Sequence, residues 1–346
     1  MTSVHVGSPA ERVLSGPGAA AGLPKEVERL GRSRVVVVSS ATLAKQTPLI
    51  KNLELELGSR HRATFRGLPQ HTPEAAVTEL AHVLARQEAD AVVSVGGGSV
   101  IDGCKAALHQ AGASRSAVHL AIPTTLSGAE FTASAGVTDG PTNQKRSVVD
   151  REAAPRVVIL DPLFALPTPL KLWLGSGIRA VDHAVETIWS PVQDELSNLL
   201  ATEALRRLLT ALPGCKRAPA DAGARHQAQI AAWWAALGLA SVPMGPSHSL
   251  GKLLGAPFGI PHGITSCALL PAVIEETAKT DPERVAPLAE PFQVAGPAEV
   301  ARACRELIAQ LELPTTLSQA GLSERDLPTY LESVPQEWRE VVRATY

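Results

Sequence analysis

Apolar and polar positions follow two different periods along the 346 residues. In the first half, short and predominantly apolar runs recur at 34–39, 91–95, 117–122 and 155–160. Runs this short and this rich in β-branched residues predict strands covered on both faces. Segments with helical spacing separate them: 23–30 closed by Gly31, 48–57 closed by Gly58, and a helix opened by His71-Thr-Pro-Glu74. In the last, Thr72 reads as the N-cap and Pro73 as the first helical residue, with Ala76, Leu80, Val83 and Leu84 turned inward. Residues 137–139 and 145–149 read as a short hairpin. From Pro169 onward the strand signals stop, and helical periodicity covers 170–190, 196–212, 225–242, 264–280 and 297–311. Strand and helix in alternation, followed by helix alone, predict an α/β domain with a parallel sheet over 1–164 and an all-helical domain over 165–346.

Composition narrows the function classes. Hydrophobic residues make up 45% and charged residues 19%, with a formal net charge of −2, so a general nucleic-acid binder is not expected. No apolar run reaches the length of a membrane helix. The opening Met-Thr-Ser-Val-His-Val-Gly-Ser-Pro lacks the basic and apolar regions of a signal peptide, which places the chain in the cytoplasm as an expectation. Cys104, Cys215, Cys267 and Cys304 are widely scattered, so buried thiols are expected rather than disulfides or a zinc ribbon.

Candidate chemistry gathers at three places. The strand at 91–95 runs into Gly96-Gly97-Gly98-Ser99, with Asp102 and Lys105 in the first helical turns after it. Glycines between a strand and a helix let backbone approach a ligand, and the N–H groups at the helix start favour an anion such as a pyrophosphate; a plain tight turn is the other reading. The strand at 117–122 runs into Pro123-Thr124-Thr125-Leu-Ser127-Gly128-Ala-Glu130, whose hydroxyls suit either ribose and phosphate contacts or simple capping. An earlier Gly16-Pro-Gly18 imitates a dinucleotide fingerprint but lacks its third glycine. The strand after it ends in Ser39-Ser40 with no carboxylate to select a ribose hydroxyl, which leaves NADH and NADPH both open. In the helical half, Arg179, His183 and Glu186 share one face of a helix, and His248 and His262 follow. They predict a reaction centre between the two domains.

Taken in order, Gly96-Gly-Gly-Ser, Pro123-Thr-Thr with Gly128 and Glu130, Gly177-x-x-Ala-x-x-His183-Ala-x-Glu186 and His248 with Pro261-His262-Gly263 resemble the iron-containing (group III) alcohol dehydrogenases. Among these the chain is most similar to the maleylacetate reductases, from about Arg12 to Leu331. The resemblance implies a Rossmann-like N-terminal domain, a helical C-terminal domain, a nicotinamide cofactor (NADH or NADPH) in a cleft, a homodimer and a small acidic substrate. It assigns Gly96, Gly97, Gly98 and Ser99 to the pyrophosphate, with Asp102, Thr124, Thr125, Ser127 and Leu166 lining the cofactor. Metal-dependent members hold iron or zinc on one aspartate and three histidines. Here His183, His248 and His262 fall on the histidine positions, but Arg179 stands at the aspartate position and Lys252 at that of a further histidine. A guanidinium repels a divalent cation, so no metal is expected. Asp182 is better placed to pair with Arg179 at i,i+3 than to replace the missing ligand. Arg179, His183, His248, Lys252 and His262 then form a cationic catalytic set for a carboxylate-bearing substrate. The activity this implies is reduction of maleylacetate to 3-oxoadipate. A reductase of another carbonyl compound and a non-redox descendant of the fold are the alternatives.

Overall fold

The structure, a computed structural model, describes residues 5–141 and 144–346. The first residues of the stretch read for a signal peptide lie outside the described residues. The chain forms two compact units, one of residues 8–168 and one of residues 169–346 with the short segment ending at Gly7.

In the first unit the strands are β1 (Arg12–Ser15), β2 (Val35–Ser39), β3 (His61–Phe65), β4 (Ala91–Gly96), β5 (Val118–Pro123), β6 (Ser134–Thr138), β7 (Lys145–Val149) and β8 (Val157–Leu160). Six of them make one parallel sheet in the order β1-β8-β5-β4-β2-β3, and β6 and β7 pair as an antiparallel hairpin. The helices are α1 (Leu23–Arg29), α2 (Ala41–Gln46), α3 (Leu49–Leu57), α4 (Glu74–Arg86), α5 (Gly98–Gln110) and α6 (Pro162–Ala165). A strand's side chains alternate between faces, and β2 shows why its run has no polar position. Val35 and Val37 enter a core with Leu23, Val27, Ile50 and Leu53, whereas Val36 and Val38 enter a second core with Val77, Leu80 and Leu84.

The sheet has two strands that periodicity does not announce, β1 and β3. Both are edge strands whose positions, Phe65 apart, are exposed or only partly buried, so neither carries a continuous apolar run. At α4 the sequence reading is corrected by one residue: Pro73, not Thr72, is the N-cap and Glu74 begins the helix. His71 and Thr72 instead take left-handed backbone at φ 65° and 53°. The Ser99 hydroxyl accepts the His71 N–H at 3.1 Å, and Thr138 bonds to the carbonyls of both residues. Local side-chain bonding has displaced the ordinary cap here.

In the second unit the helices are α7 (Leu170–Ile188), α8 (Glu195–Arg217), α9 (Ala222–Ala236), α10 (Pro246–Phe258), α11 (His262–Thr280), α12 (Pro282–Val285), α13 (Pro297–Gln310) and the short α14 (Leu317–Ala320), α15 (Leu327–Ser333) and α16 (Arg339–Ala344). α7 is the central element. It is buried on every side from Trp173 to Ile188 and packs against α8, α9 and α11. Glycines permit the closest crossing: a Cβ on Gly263 of α11 would overlap the backbone of Gly175 on α7. α8 continues through Pro213, past the expected end at residue 212, and α9 stops short of 242 in a 3-10 turn. α10 is a helix that the sequence reading does not contain. Among the described residues no helix is long and apolar enough to cross a membrane.

Candidate active site

Two groups of predicted residues are found, one in each unit. In the first unit, β4 and β5 are paired so that Gly96 lies opposite Pro123, which sets the loops at their carboxyl ends side by side. The fit leaves no room for side chains on the glycines. A Cβ on Gly97 would stand 2.9 Å from Thr125 Cγ2, and one on Gly98 2.9 Å from Ser127 Oγ. Gly97 caps α5 without any side-chain acceptor, so the helix begins with backbone donors and a favourable dipole. Thr124 and Thr125 are buried, Ser127 is half-buried, and Leu166 closes the short helix α6. Asp102 faces inward: its carboxylate accepts the Gly136 N–H at 3.1 Å and pairs with Lys105 at 2.9 Å. Lys105 is not free to meet a nucleotide. It is buried and donates to the carbonyls of Ala129, Thr132 and Ser134.

In the second unit, α7, α10 and α11 bring Arg179, Asp182, His183, His248, Lys252, His262 and Ser266 together. Arg179, only 6% exposed, uses Nη1 twice, donating to Asp182 Oδ2 and to Ser266 Oγ, each at 3.0 Å. Ser266 Oγ passes its own hydrogen to Asp182 Oδ2 at 2.6 Å. The i,i+3 pair expected from the sequence is thus present, and Ser266, one turn beyond His262 on α11, completes it. Sequence reasoning missed Ser266; its i,i+4 spacing from His262 was the available signal. A glycine makes the arrangement possible, since a Cβ on Gly251 would meet Thr265 Oγ1 at 2.7 Å and Arg179 Nη1 at 3.8 Å.

The remaining fork nitrogen sets the chemistry. Arg179 Nη2 lies 2.6 Å from His248 Nδ1. A guanidinium only donates, so Nδ1 is the acceptor and the ring hydrogen sits on Nε2. Burial first, then the charge of Arg179, holds His248 well below the usual histidine range, and the same causes act on His183. Both imidazoles are therefore neutral, with ring centroids 5.7 Å apart. Lys252 is exposed, and partial burial and Arg179 lower its pKa from the usual lysine value. His262 is half-buried and close enough to act on His248 electrostatically; a Cβ on Gly255 would come within 2.5 Å of its ring. Asp182 is completely buried, and burial raises its pKa against the opposing pull of Arg179. Glu186, one turn beyond His183, accepts the backbone N–H groups of Gly245 and His248.

This donor set does not suit a divalent cation. The Arg179 contact puts a hydrogen on His248 Nε2, removing that lone pair, and sets a fixed positive charge among the imidazoles. Among the described residues no three His, Cys, Asp or Glu side chains are grouped to hold a metal.

Comparison with known proteins agrees across the whole chain. Residues 10–162 match the iron-containing alcohol dehydrogenase family, and residues 174–339 match the C-terminal region of the Fe-containing alcohol dehydrogenase family. Maleylacetate reductase from Rhizobium sp. (strain MTP-10005) is 32% identical over 329 residues, covering 95% of this chain and 90% of that protein. Maleylacetate reductase 2 from Cupriavidus pinatubonensis is 34% identical over 299 residues, covering 86% of this chain and 80% of that protein. The crystal structure of maleylacetate reductase from Agrobacterium tumefaciens superposes with a TM-score of 0.88 at 29% identity, covering 100% of this chain and 98% of that one.

Proposed function

The chain belongs to the iron-containing alcohol dehydrogenase family, and we propose that it is an NAD(P)H-dependent reductase of an acidic substrate, converting maleylacetate to 3-oxoadipate without a metal. The observation that carries this is the Arg179 guanidinium on His248 Nδ1, which replaces a cation-binding set by a fixed positive charge and neutral imidazoles. The similarity to several maleylacetate reductases supports the same substrate.

The cofactor belongs at Gly96, Gly97, Gly98 and Ser99, with Thr124, Thr125, Ser127, Asp102 and Leu166 around it. The glycines fit that role, because a Cβ at Gly97 or Gly98 would press on Thr125 or Ser127, and bare backbone is left beside the uncapped start of α5. Bound there, a reduced nicotinamide supplies the hydride.

The protein's own residues handle charge and proton. Hydride addition at the carbon β to the keto group drives the double-bond electrons onto the ketone oxygen as an enolate, and a proton then adds at the α carbon. A neutral imidazole is too weak an acid to give up its N–H, so His248 Nε2–H serves as a fixed hydrogen-bond donor to the enolate oxygen. Lys252, an accessible ammonium of lowered pKa, is the better proton donor and the partner for a substrate carboxylate. Arg179 acts mainly through His248, since Asp182 and Ser266 occupy its Nη1. His183 and His262 complete the pocket wall.

That same occupation of Arg179 favours one second reading. With Lys252 as the accessible cation, the pocket also suits an acidic carbonyl compound bearing a single carboxylate. We further infer a cytoplasmic homodimer: the cysteines are free and buried, as in a reducing compartment, and Leu196 and Leu199 expose apolar side chains on one face of α8.

Following NADH and NADPH oxidation with maleylacetate, with monocarboxylate keto acids and with simple aldehydes, on protein assayed for metal, tests these assignments. Cofactor consumption with maleylacetate, unaffected by a chelator, is the expected result. Turnover of aldehydes alone, or activity that a chelator abolishes, rules the proposal out.

A further inference from the structure

Glu186 lies on the same face of α7 as Arg179 and His183, yet the reaction above gives it no part. Its surroundings assign one. α10 begins at Pro246, so Gly245 is the flanking cap residue and His248 the third residue of the helix. The first N–H groups of a helix have no partner within it and ordinarily take one from a Ser, Thr, Asp or Asn side chain at the cap. Glycine at 245 has no side chain to offer. Instead Glu186 reaches across from α7, accepting the Gly245 N–H on Oε2 at 2.9 Å and the His248 N–H on Oε1 at 3.1 Å. Glu186 is buried, and an added Cβ on Gly245 would press on Glu186 Oε1 at 3.0 Å. The bare cap and the reaching carboxyl group therefore depend on one another.

We propose that Glu186 is a positioning residue: bridging Gly245 and His248, it clamps the first turn of α10 and so fixes where the His248 imidazole stands. His248 is then held at both ends, its backbone by Glu186 and its ring by Arg179. Both holding residues come from α7, one face of which thereby sets the place and the tautomer of a donor on another helix. Tyr330 adds a third anchor farther along, its hydroxyl donating to the Leu250 carbonyl at 3.2 Å. Burial and the neighbouring Asp182 push the Glu186 carboxyl up to about 8, while the two N–H groups it accepts pull the other way by favouring the ionised form.

The consequence for catalysis rests on the assignment of His248 as the enolate's hydrogen-bond donor. Misplacing such a group by about 1 Å costs on the order of a hundredfold in rate. In the full-length protein, Glu186→Ala is expected to lower kcat about 10- to 100-fold, with KM for the nicotinamide cofactor unchanged because that site lies in the other unit. Glu186→Gln keeps one of the two acceptors and is expected to fall between the parent and Glu186→Ala. Gly245→Ala strains the clamp without removing the carboxyl and should shift kcat in the same direction as Glu186→Ala. Hydrogen exchange, read by mass spectrometry on the peptide containing Gly245 and His248, reports the clamp without substrate, and Glu186→Ala should speed it about tenfold or more. Unchanged exchange in folded Glu186→Ala overturns the clamp. Wild-type protein inactive on maleylacetate defeats the substrate assignment alone, and exchange still decides the clamp.

Discussion

Arg179 Nη2 and His248 Nδ1 are 2.6 Å apart, and the same guanidinium is anchored on Asp182 at 3.0 Å. One side chain thus balances a fully buried carboxylate and fixes the tautomer of a histidine. The two roles separate by mutation. Removing one member of a buried pair leaves an uncompensated charge and costs about 3–5 kcal/mol, so Arg179→Ala and Asp182→Ala should each lower stability in urea by about that much. The double variant should recover most of it. Its kcat should nonetheless stay about a hundredfold down, because His248 Nδ1 has lost its donor. Full recovery of kcat in the double variant contradicts the tautomer argument.

Lys252 gives the pH dependence a definite sign. The ammonium form donates the proton, so kcat falls as pH rises through its pKa, which burial and Arg179 place below the usual lysine value of 10.5. Lys252→Met should remove that alkaline limb and reduce kcat about a hundredfold or more. The KM for maleylacetate should also rise, since the carboxylate loses its partner. An alkaline limb that survives in the Met variant assigns the proton to another group.

How much of this was legible depends on what each segment must bury. Strands β2, β4, β5 and β8 announce themselves because every position is buried. β1 and β3 do not, being edge strands. The helix most important to the site, α10, was hidden by its own composition: Gly251, Gly255 and Pro257 are poor helix formers. Two of these are explained by close packing, Gly251 against Thr265 and Gly255 against the His262 ring. Function there has overridden local propensity. Arg179 at the position of a ligand was readable, and so was its pairing with Asp182. Its bond to His248 and the cap that Glu186 supplies join residues 59 to 69 positions apart, which no local pattern reveals.

The cofactor assignment makes a graded forecast at the glycine loop. Gly98 carries no positive φ, so alanine is tolerated by the backbone there, but its Cβ would stand 2.9 Å from Ser127 Oγ and 3.6 Å from Ala129 Cβ. Gly98→Ala should therefore push Ser127 aside and raise the Kd for NADH or NADPH about tenfold or more, at roughly 1.4 kcal/mol per factor of ten. Ser127→Ala combined with it should restore part of the affinity by clearing the crowded hydroxyl. Fluorescence titration of the reduced cofactor measures both, and unchanged affinity in Gly98→Ala removes the loop from the cofactor site.

Two buried groups of the α/β unit pull stability in opposite directions across the acid range. Burial pushes the Glu130 carboxyl up to about 7 from a usual 4.5, so the folded state binds more protons than the unfolded state between those values. Its contribution is complete below pH 4.5 and is lost as pH rises through 7. Burial likewise pushes His119 down to about 3 from a usual 6.5, while its ring stays bonded to the Ala153 carbonyl and the Ser94 hydroxyl. There the unfolded state binds the extra proton, so stability is complete above pH 6.5 and is lost as pH falls toward 3. At roughly 1.4 kcal/mol per pKa unit, each amounts to a few kcal/mol over its window. Measured as the difference from the parent in urea unfolding, Glu130→Gln should gain stability progressively from pH 4.5 to 7. His119→Gln should lose less than the parent as pH drops from 6.5 toward 4. The two difference curves must therefore slope in opposite directions: aligned at pH 5.5, the Glu130→Gln curve rises with pH and the His119→Gln curve falls. A flat difference curve for either variant means that group titrates in the fold as it does in water.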